Sequence, residues 1–140
     1  MDSTDITKVN QRVVELFRAG GEIPGMHRER LLLLTTVGAR TGQPRTTPMM
    51  FVRIGARLFV IASNAGASGD PKWYRNLLAN PSVTVEMGSE RYATEARPIT
   101  GTERDRIWTE IKQRYPFFGD HETKVERVIP VVELTLPAGG

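Results

Sequence analysis

Gly55-Ala56 and Gly88-Ser89 each separate two runs of strand character, and a turn of two residues joins antiparallel neighbours only. The first turn lies between Thr46–Ile54 and Leu58–Ser63. Around the second, Val83, Val85 and Met87 alternate with Thr84 and Glu86, and Tyr92, Thr94 and Ala96 alternate again. Two hairpins are therefore expected. The helical crossovers of a parallel nucleotide-binding sheet do not fit this pattern.

The other segments add to an antiparallel frame. Residues 30 to 37 hold Leu31 to Leu34, then Thr35, Thr36 and Val37, a run too short for a membrane and closed by Gly38, which predicts a buried strand. Ile6, Val9, Val13, Leu16 and Phe17 follow helical spacing as far as Arg18, and Gly20-Gly21 ends that helix. A second helix is expected from Asp70-Pro71, with Asp70 as cap, Pro71 at the first helical position and Trp73, Leu77 and Leu78 on board. It stops near Asn80 because Pro81 follows. Thr102 with Asp105 resembles a capping box ahead of Ile107, Trp108, Ile111 and Tyr115, a third helix closed by Pro116. Val128 to Leu136 reads as the last strand. Six strands with three helices predict an α+β, mainly β domain spanning 1–140, in which the sheet curls into a small barrel and residues 1–29 form the N-terminal helix and lead-in.

Composition removes several function classes. The chain of 140 residues has no cysteine, which excludes disulfides and thiolate metal sites, and its two histidines, His27 and His121, are far apart. A net charge of +3 is a mild excess of base, without the dense basic face of a nucleic-acid binder. The start, Met1-Asp-Ser-Thr-Asp5, is acidic and polar, unlike a signal peptide or membrane anchor. A cytoplasmic protein without stable membrane insertion and without a metal is expected.

Charge is nevertheless distributed unevenly. From Arg30 to Gly69 there are five arginines and no acidic residue. Within that stretch lies Gly38-Ala-Arg-Thr-Gly42, followed by Arg45. Glycines at both ends permit amides to converge into an anion nest, while Arg40 and Arg45 offer forked donors and Thr41 a hydroxyl. The pattern is also compatible with a solvated basic turn. Ala62-Ser-Asn-Ala-Gly66 is small enough to let a planar ligand approach its backbone, or is an ordinary strand-to-helix loop. Trp73 is read as core, and Met49 and Met50 as core or as a ligand wall. Past the third helix, Tyr115-Pro-Phe-Phe-Gly-Asp-His121 gathers aromatics on a turn, where Tyr115 or His121 is a candidate proton donor.

In order, these motifs resemble those of the deazaflavin-dependent nitroreductase family, split β-barrel oxidoreductases that use coenzyme F-420. The resemblance runs from about Leu31 to Leu136 and rests on Leu33-Leu-Thr-Thr-Val-Gly-Ala-Arg-Thr-Gly-Gln-Pro-Arg45, Ala62-Ser-Asn-Ala-Gly66, Asp70-Pro-Lys-Trp-Tyr-Arg-Asn-Leu-Leu-Ala-Asn-Pro81 and Arg127-Val-Ile-Pro-Val-Val-Glu-Leu134. It implies a split β-barrel of about six mostly antiparallel strands with about three peripheral helices. It implies hydride transfer from the reduced deazaflavin to an electron-poor acceptor: an activated alkene, a quinone or a nitro compound. The basic turn would grip the cofactor phosphate through Arg40, Thr41, Gly42 and Arg45, with Thr46, Pro48 and Met49 along the next strand. Ser63, Asn64, Ala65 and Gly66 would line the ring, with the Trp73 helix behind them. Tyr115, His121 and Ser63 are the candidate catalytic residues. Ala39 stands where many members have a second basic residue, and Asn64-Ala65-Gly66 where many have Lys-Gly-Gly. The alternatives are an FMN enzyme on the same barrel type and a carrier that binds deazaflavin without turnover. A homodimer is compatible with the family.

Overall fold

The structure, a computed structural model, describes residues 3–136, so the reading of Met1 and Asp2 lies outside the described residues, as does the side chain of Ile6. In chain order the elements are α1 (Ser3–Ala19), β1 (Leu31–Val37), β2 (Pro44–Ile54), β3 (Arg57–Ile61), α2 (Lys72–Ala79), β4 (Ser82–Met87), β5 (Glu90–Ile99), α3 (Gly101–Arg114), α4 (Phe117–Thr123) and β6 (Val131–Leu134). Both expected hairpins are present, β2–β3 and β4–β5. The strands close into a barrel in the order β1-β2-β3-β6-β5-β4, every neighbour antiparallel.

The unbroken apolar run of β1 has a geometric cause. Successive side chains of a strand point to opposite faces, so a strand apolar at every position must be covered on both. Leu32 and Leu34 enter the barrel interior with Val60, Val85 and Leu134, where Trp73 and Leu77 of α2 join them. Leu33 points outward and is buried beneath Val13 and Phe17 of α1 and Ile23. On the other half of the barrel, Ile107, Trp108 and Ile111 of α3 cover Val52, Phe59, Ile99 and Val131. One arm of the chain thus seals each outer face.

Several local expectations differ from what forms. Asp70 does not cap α2, whose N-cap is Pro71 without a side-chain bond, because the Asp70 carboxylate is taken by Arg127. Leu78 is exposed, since the short α2 buries only Trp73 and Leu77. The cap position of α3 is Thr100, with no side-chain bond, so Thr102 and Asp105 make no capping box. Tyr115 to His121 is not a plain turn: Pro116 ends α3 but also starts α4, to which its fixed φ is suited. The last strand is shorter than 128–136, because only Val131–Leu134 reaches both β3 and β5.

Candidate functional site

The basic turn lies between β1 and β2 and is tied down by its own backbone. Gly38 N donates to Gln43 O (2.8 Å), Gly42 N to Gly38 O (2.9 Å) and Gln43 N to Thr41 Oγ1 (3.2 Å). Only Gly42 uses positive φ (69°). Gly38 is required for a different reason, since a Cβ there would stand 2.6 Å from Thr41 Oγ1. The fully converging nest is therefore corrected: these amides are spent inside the turn, and among the described residues Arg40 and Thr41 keep amides without a protein acceptor. The Thr41 hydroxyl accepts within the turn and retains its own proton to donate. Arg40 and Arg45 are exposed and, among the described residues, have no ion-pair partner.

Asn76 of α2 fixes this turn to the rest of the molecule. Its Oδ1 accepts from Ala39 N (3.0 Å), and its Nδ2 donates to the buried Thr36 Oγ1 (3.1 Å). Along β2, Thr46 shares a hydroxyl bond with Thr35 (2.8 Å), Pro48 is half-buried opposite Leu33, and Met49 packs on the barrel interior. Trp73 lies in that interior too and is core.

The second expected cluster assembles where β3 ends. Ser63 is buried, Asn64–Gly66 forms a single 3-10 turn, and Asn64 has φ 50° with its Nδ2 bonded to Gly69 O (3.0 Å). The side chain of Ala65 is outside the described residues. Against this turn packs α4, and His121 Nδ1 reaches Ser63 Oγ at 3.1 Å. Gly66, at φ 83°, makes room: a Cβ there would lie 3.0 Å from Lys124 Cδ. His121 stands edge-on to Phe117 and Phe118. Tyr115 packs its ring on the same two phenylalanines, so of the two candidate proton donors it is His121 that bonds Ser63.

Two polar clamps hold these parts. Glu122 of α4 accepts from Trp108 Nε1 and from Lys112 Nζ (2.9 Å) on α3. Burial works against its charge, yet those bonds hold its carboxyl below the ordinary value. Arg127 bonds the carbonyls of Ala62, Ser63 and Ala67 and pairs with Asp70 at 2.7 Å. Asp70, the first acid after the acid-free stretch, is thus neutralised locally. Within that stretch Arg57 is not free, because Glu133 and Glu103 reach it from β6 and α3. Asn76, Arg127 and Glu122 escaped the sequence reading. Asn76 and Arg127 lie inside motifs used for the resemblance, but a polar side chain satisfied at long range leaves no periodic signature.

Two clefts of about 480 and 580 Å³ surround the Gly88-Ser89 turn and contain none of Arg40, Arg45, Ser63 or His121. Their arginines are partly engaged: Arg18 holds Glu86 by two bonds (3.0 and 2.8 Å), and Arg28 bonds Phe17 O and lies over the Phe17 ring. Of the chemistry-bearing residues Arg40 and Arg45 are exposed, His121 is half-buried and Ser63 is buried.

Comparison with known proteins finds a match to the family described as F420H(2)-dependent quinone reductase over residues 7–135. An F420H(2)-dependent quinone reductase of Mycobacterium tuberculosis (strain ATCC 25618 / H37Rv) is 37% identical over 121 residues, 84% of this chain and 80% of the relative. Among solved structures, an F420-H2 dependent reductase (FDR-A) superposes with TM-score 0.68 at 34% identity, covering 79% of this chain and all of the other. Another, described as a domain-swapped dimer, gives TM-score 0.71 at 31% identity over 96% of this chain and 100% of that one.

Proposed function

Since the chain belongs to the F420H(2)-dependent quinone reductase family, we propose that it is an oxidoreductase that uses reduced coenzyme F-420 to reduce a quinone or another electron-poor acceptor. The observation that carries this reading is the pair of hydrogen bonds by which Asn76 holds the basic turn and β1. One short helix, α2, thereby joins an anion-binding end at Arg40 and Arg45 to the loop at Ser63 that precedes it. An extended ligand with a phosphate at one end and a planar ring at the other suits such a frame.

The residues fit the coenzyme in charge and in donor chemistry. Among the described residues Arg40 and Arg45 have no ion-pair partner and can offer their guanidinium groups to a phosphodiester, and Thr41 adds its hydroxyl and amide. Ser63 to Gly66 presents backbone to a ring face. When bound, the deazaflavin supplies the hydride, while the protein supplies orientation and electrostatics. A quinone that has accepted a hydride is one proton short of the hydroquinone. In this reading Ser63 Oγ–H delivers that proton and His121 returns one to Ser63, a relay supported by the 3.1 Å contact of His121 Nδ1 with Ser63 Oγ. Phe117 exposes part of its ring beside His121 and offers an apolar wall to the acceptor.

Titration of the protein with coenzyme F-420 and with FMN, followed by fluorescence, tests the reading. Deazaflavin binding and turnover with a soluble quinone are expected. Tight FMN binding without deazaflavin binding would overturn it, and deazaflavin binding with no turnover on quinones, enones or nitroaromatics would leave a carrier. The neighbour described as a domain-swapped dimer supports pairing of two copies here as well, which sedimentation over a concentration series checks. No helix among the described residues is long and apolar enough to cross a membrane.

A further inference from the structure

Arg127 makes more polar contacts than any residue of the candidate site, all with one loop. Its Nε and Nη2 each donate to Ala67 O (3.3 Å), Nη2 also to Ser63 O (2.9 Å), and Nη1 to Ala62 O (3.2 Å) and Asp70 Oδ1 (2.7 Å). Its side chain is 15% exposed. The loop's own ties are few: Gly66 N to Ser63 O, Ala67 N to Asn64 O and Asn64 Nδ2 to Gly69 O, each 3.0 Å. Ala62 is fully buried, so its carbonyl has no water to replace Arg127.

Position adds meaning to this count of bonds. Arg127 follows α4, the helix that bears His121. The Ser63–His121 bond therefore crosses between the same two segments that Arg127 clamps together. Besides Arg127, the Ser63–His121 bond (3.1 Å) and the backbone bond from Ala62 N to Pro130 O (3.0 Å) tie only the start of the loop, and among the described residues leave 64 to 69 without a hydrogen bond to the α4 side. A planar guanidinium reaches both ends of the loop, whereas a lysine, with one point of charge, does not span Ala62 O and Ala67 O together.

We propose that Arg127 is a positioning residue, which clamps the Ala62–Asp70 loop onto the segment after α4 and thereby holds the Ser63 hydroxyl at His121 and the backbone of residues 63 to 67 in one arrangement. The proposal rests on the function argued above for its kinetic consequence, but not for its structural one.

Hydrogen exchange read by mass spectrometry on the cofactor-free chain tests it in wild type, Arg127→Lys and Asp70→Asn, alongside deazaflavin titration and quinone kinetics. In Arg127→Lys, amides of residues 62–70 exchange faster while those of β3 and β6 keep their protection. Deazaflavin affinity falls about tenfold, because a loosened loop must be ordered when the ligand binds. Turnover falls on the order of 100-fold, as displaced reacting groups predict, with kcat affected more than KM. Asp70→Asn, which removes the charge of the pair but leaves an oxygen to accept, gives a smaller change in the same direction. Unchanged loop exchange in Arg127→Lys overturns the proposal, as does equal loss of protection in the barrel strands. Should Arg127→Lys not fold, Arg127→Gln, which keeps a shorter polar side chain without the fork, decides in the same terms: a loosened loop on intact strands supports the clamp, and an unchanged loop overturns it. If wild type binds no deazaflavin, the functional reading falls, while the exchange comparison still judges Arg127.

Discussion

Arg40 and Arg45 are the residues on which binding should depend, because they are exposed and, among the described residues, have no ion-pair partner, so their charge is left for a ligand. A charge-assisted contact to phosphate contributes about 1.5–3 kcal/mol, so Arg40→Ala and Arg45→Ala should each weaken deazaflavin binding by that amount in a fluorescence titration. Unchanged affinity in both variants would remove the anion site. Ser63 and His121 act on the later step. Ser63→Ala should lower kcat on the order of 100-fold with little change in KM, in line with a lost general acid. His121→Gln, which can still bond Ser63, should lower kcat and diminish its solvent deuterium isotope effect; turnover equal to wild type returns His121 to packing.

Among the elements, α4 and the 3-10 turn beneath it are the pair whose fit matters most. The helix has seven residues, too few to be stable alone, and it stays because Glu122 binds Trp108 and Lys112 of α3 and Phe118 is buried. Gly66 lets the turn approach it. Two causes can make Gly66 necessary, and they are separable. Positive φ costs an L-residue about 1–2 kcal/mol, whereas the 3.0 Å contact is with the flexible end of Lys124 and is relieved cheaply. Gly66→Ala should therefore lose about 1–2 kcal/mol in urea unfolding. Adding Lys124→Ala should not restore it; full restoration would show that crowding, and not backbone conformation, is the cause.

On the scale of the whole molecule, stability depends on β6, the last strand in sequence, which closes the barrel between β3 and β5. Its outward Glu133 bonds Arg57 (2.8 and 3.0 Å) and Arg97, which come from the two flanking strands. The bond from Arg57, and after it the bond from Arg97, holds the Glu133 carboxyl below its ordinary value of 4.5 despite burial. A carboxyl lowered in the folded state stabilises fully above 4.5 and loses that contribution as pH falls through the lowered value. Glu86 and Glu122 are lowered as well, so all three act in the same direction. Glu133→Gln should cost about 2 kcal/mol at neutral pH and flatten the acid side of the Tm–pH curve; an acid limb as steep as wild type would assign the effect to the other two.

Strand positions, both hairpins, the two-sided burial of β1 and the basic turn were legible in the residue order, because each is set by neighbours in sequence: alternation, turn glycines and an uninterrupted apolar run. Caps were less legible. Asp70 reads locally as a helix cap, yet a guanidinium 57 residues away competes for it and wins, since a charge-assisted pair outweighs a bond to one amide. The acid-free stretch was likewise acid-free only in sequence, as Glu133 and Glu103 reach Arg57 from strand and helix that follow much later. The sequence by itself determined which segments pair and where positive charge is offered. Only the tertiary structure decided which charges remain free and which side chains meet, because those depend on groups that barrel closure brings together across dozens of residues and that no local pattern records.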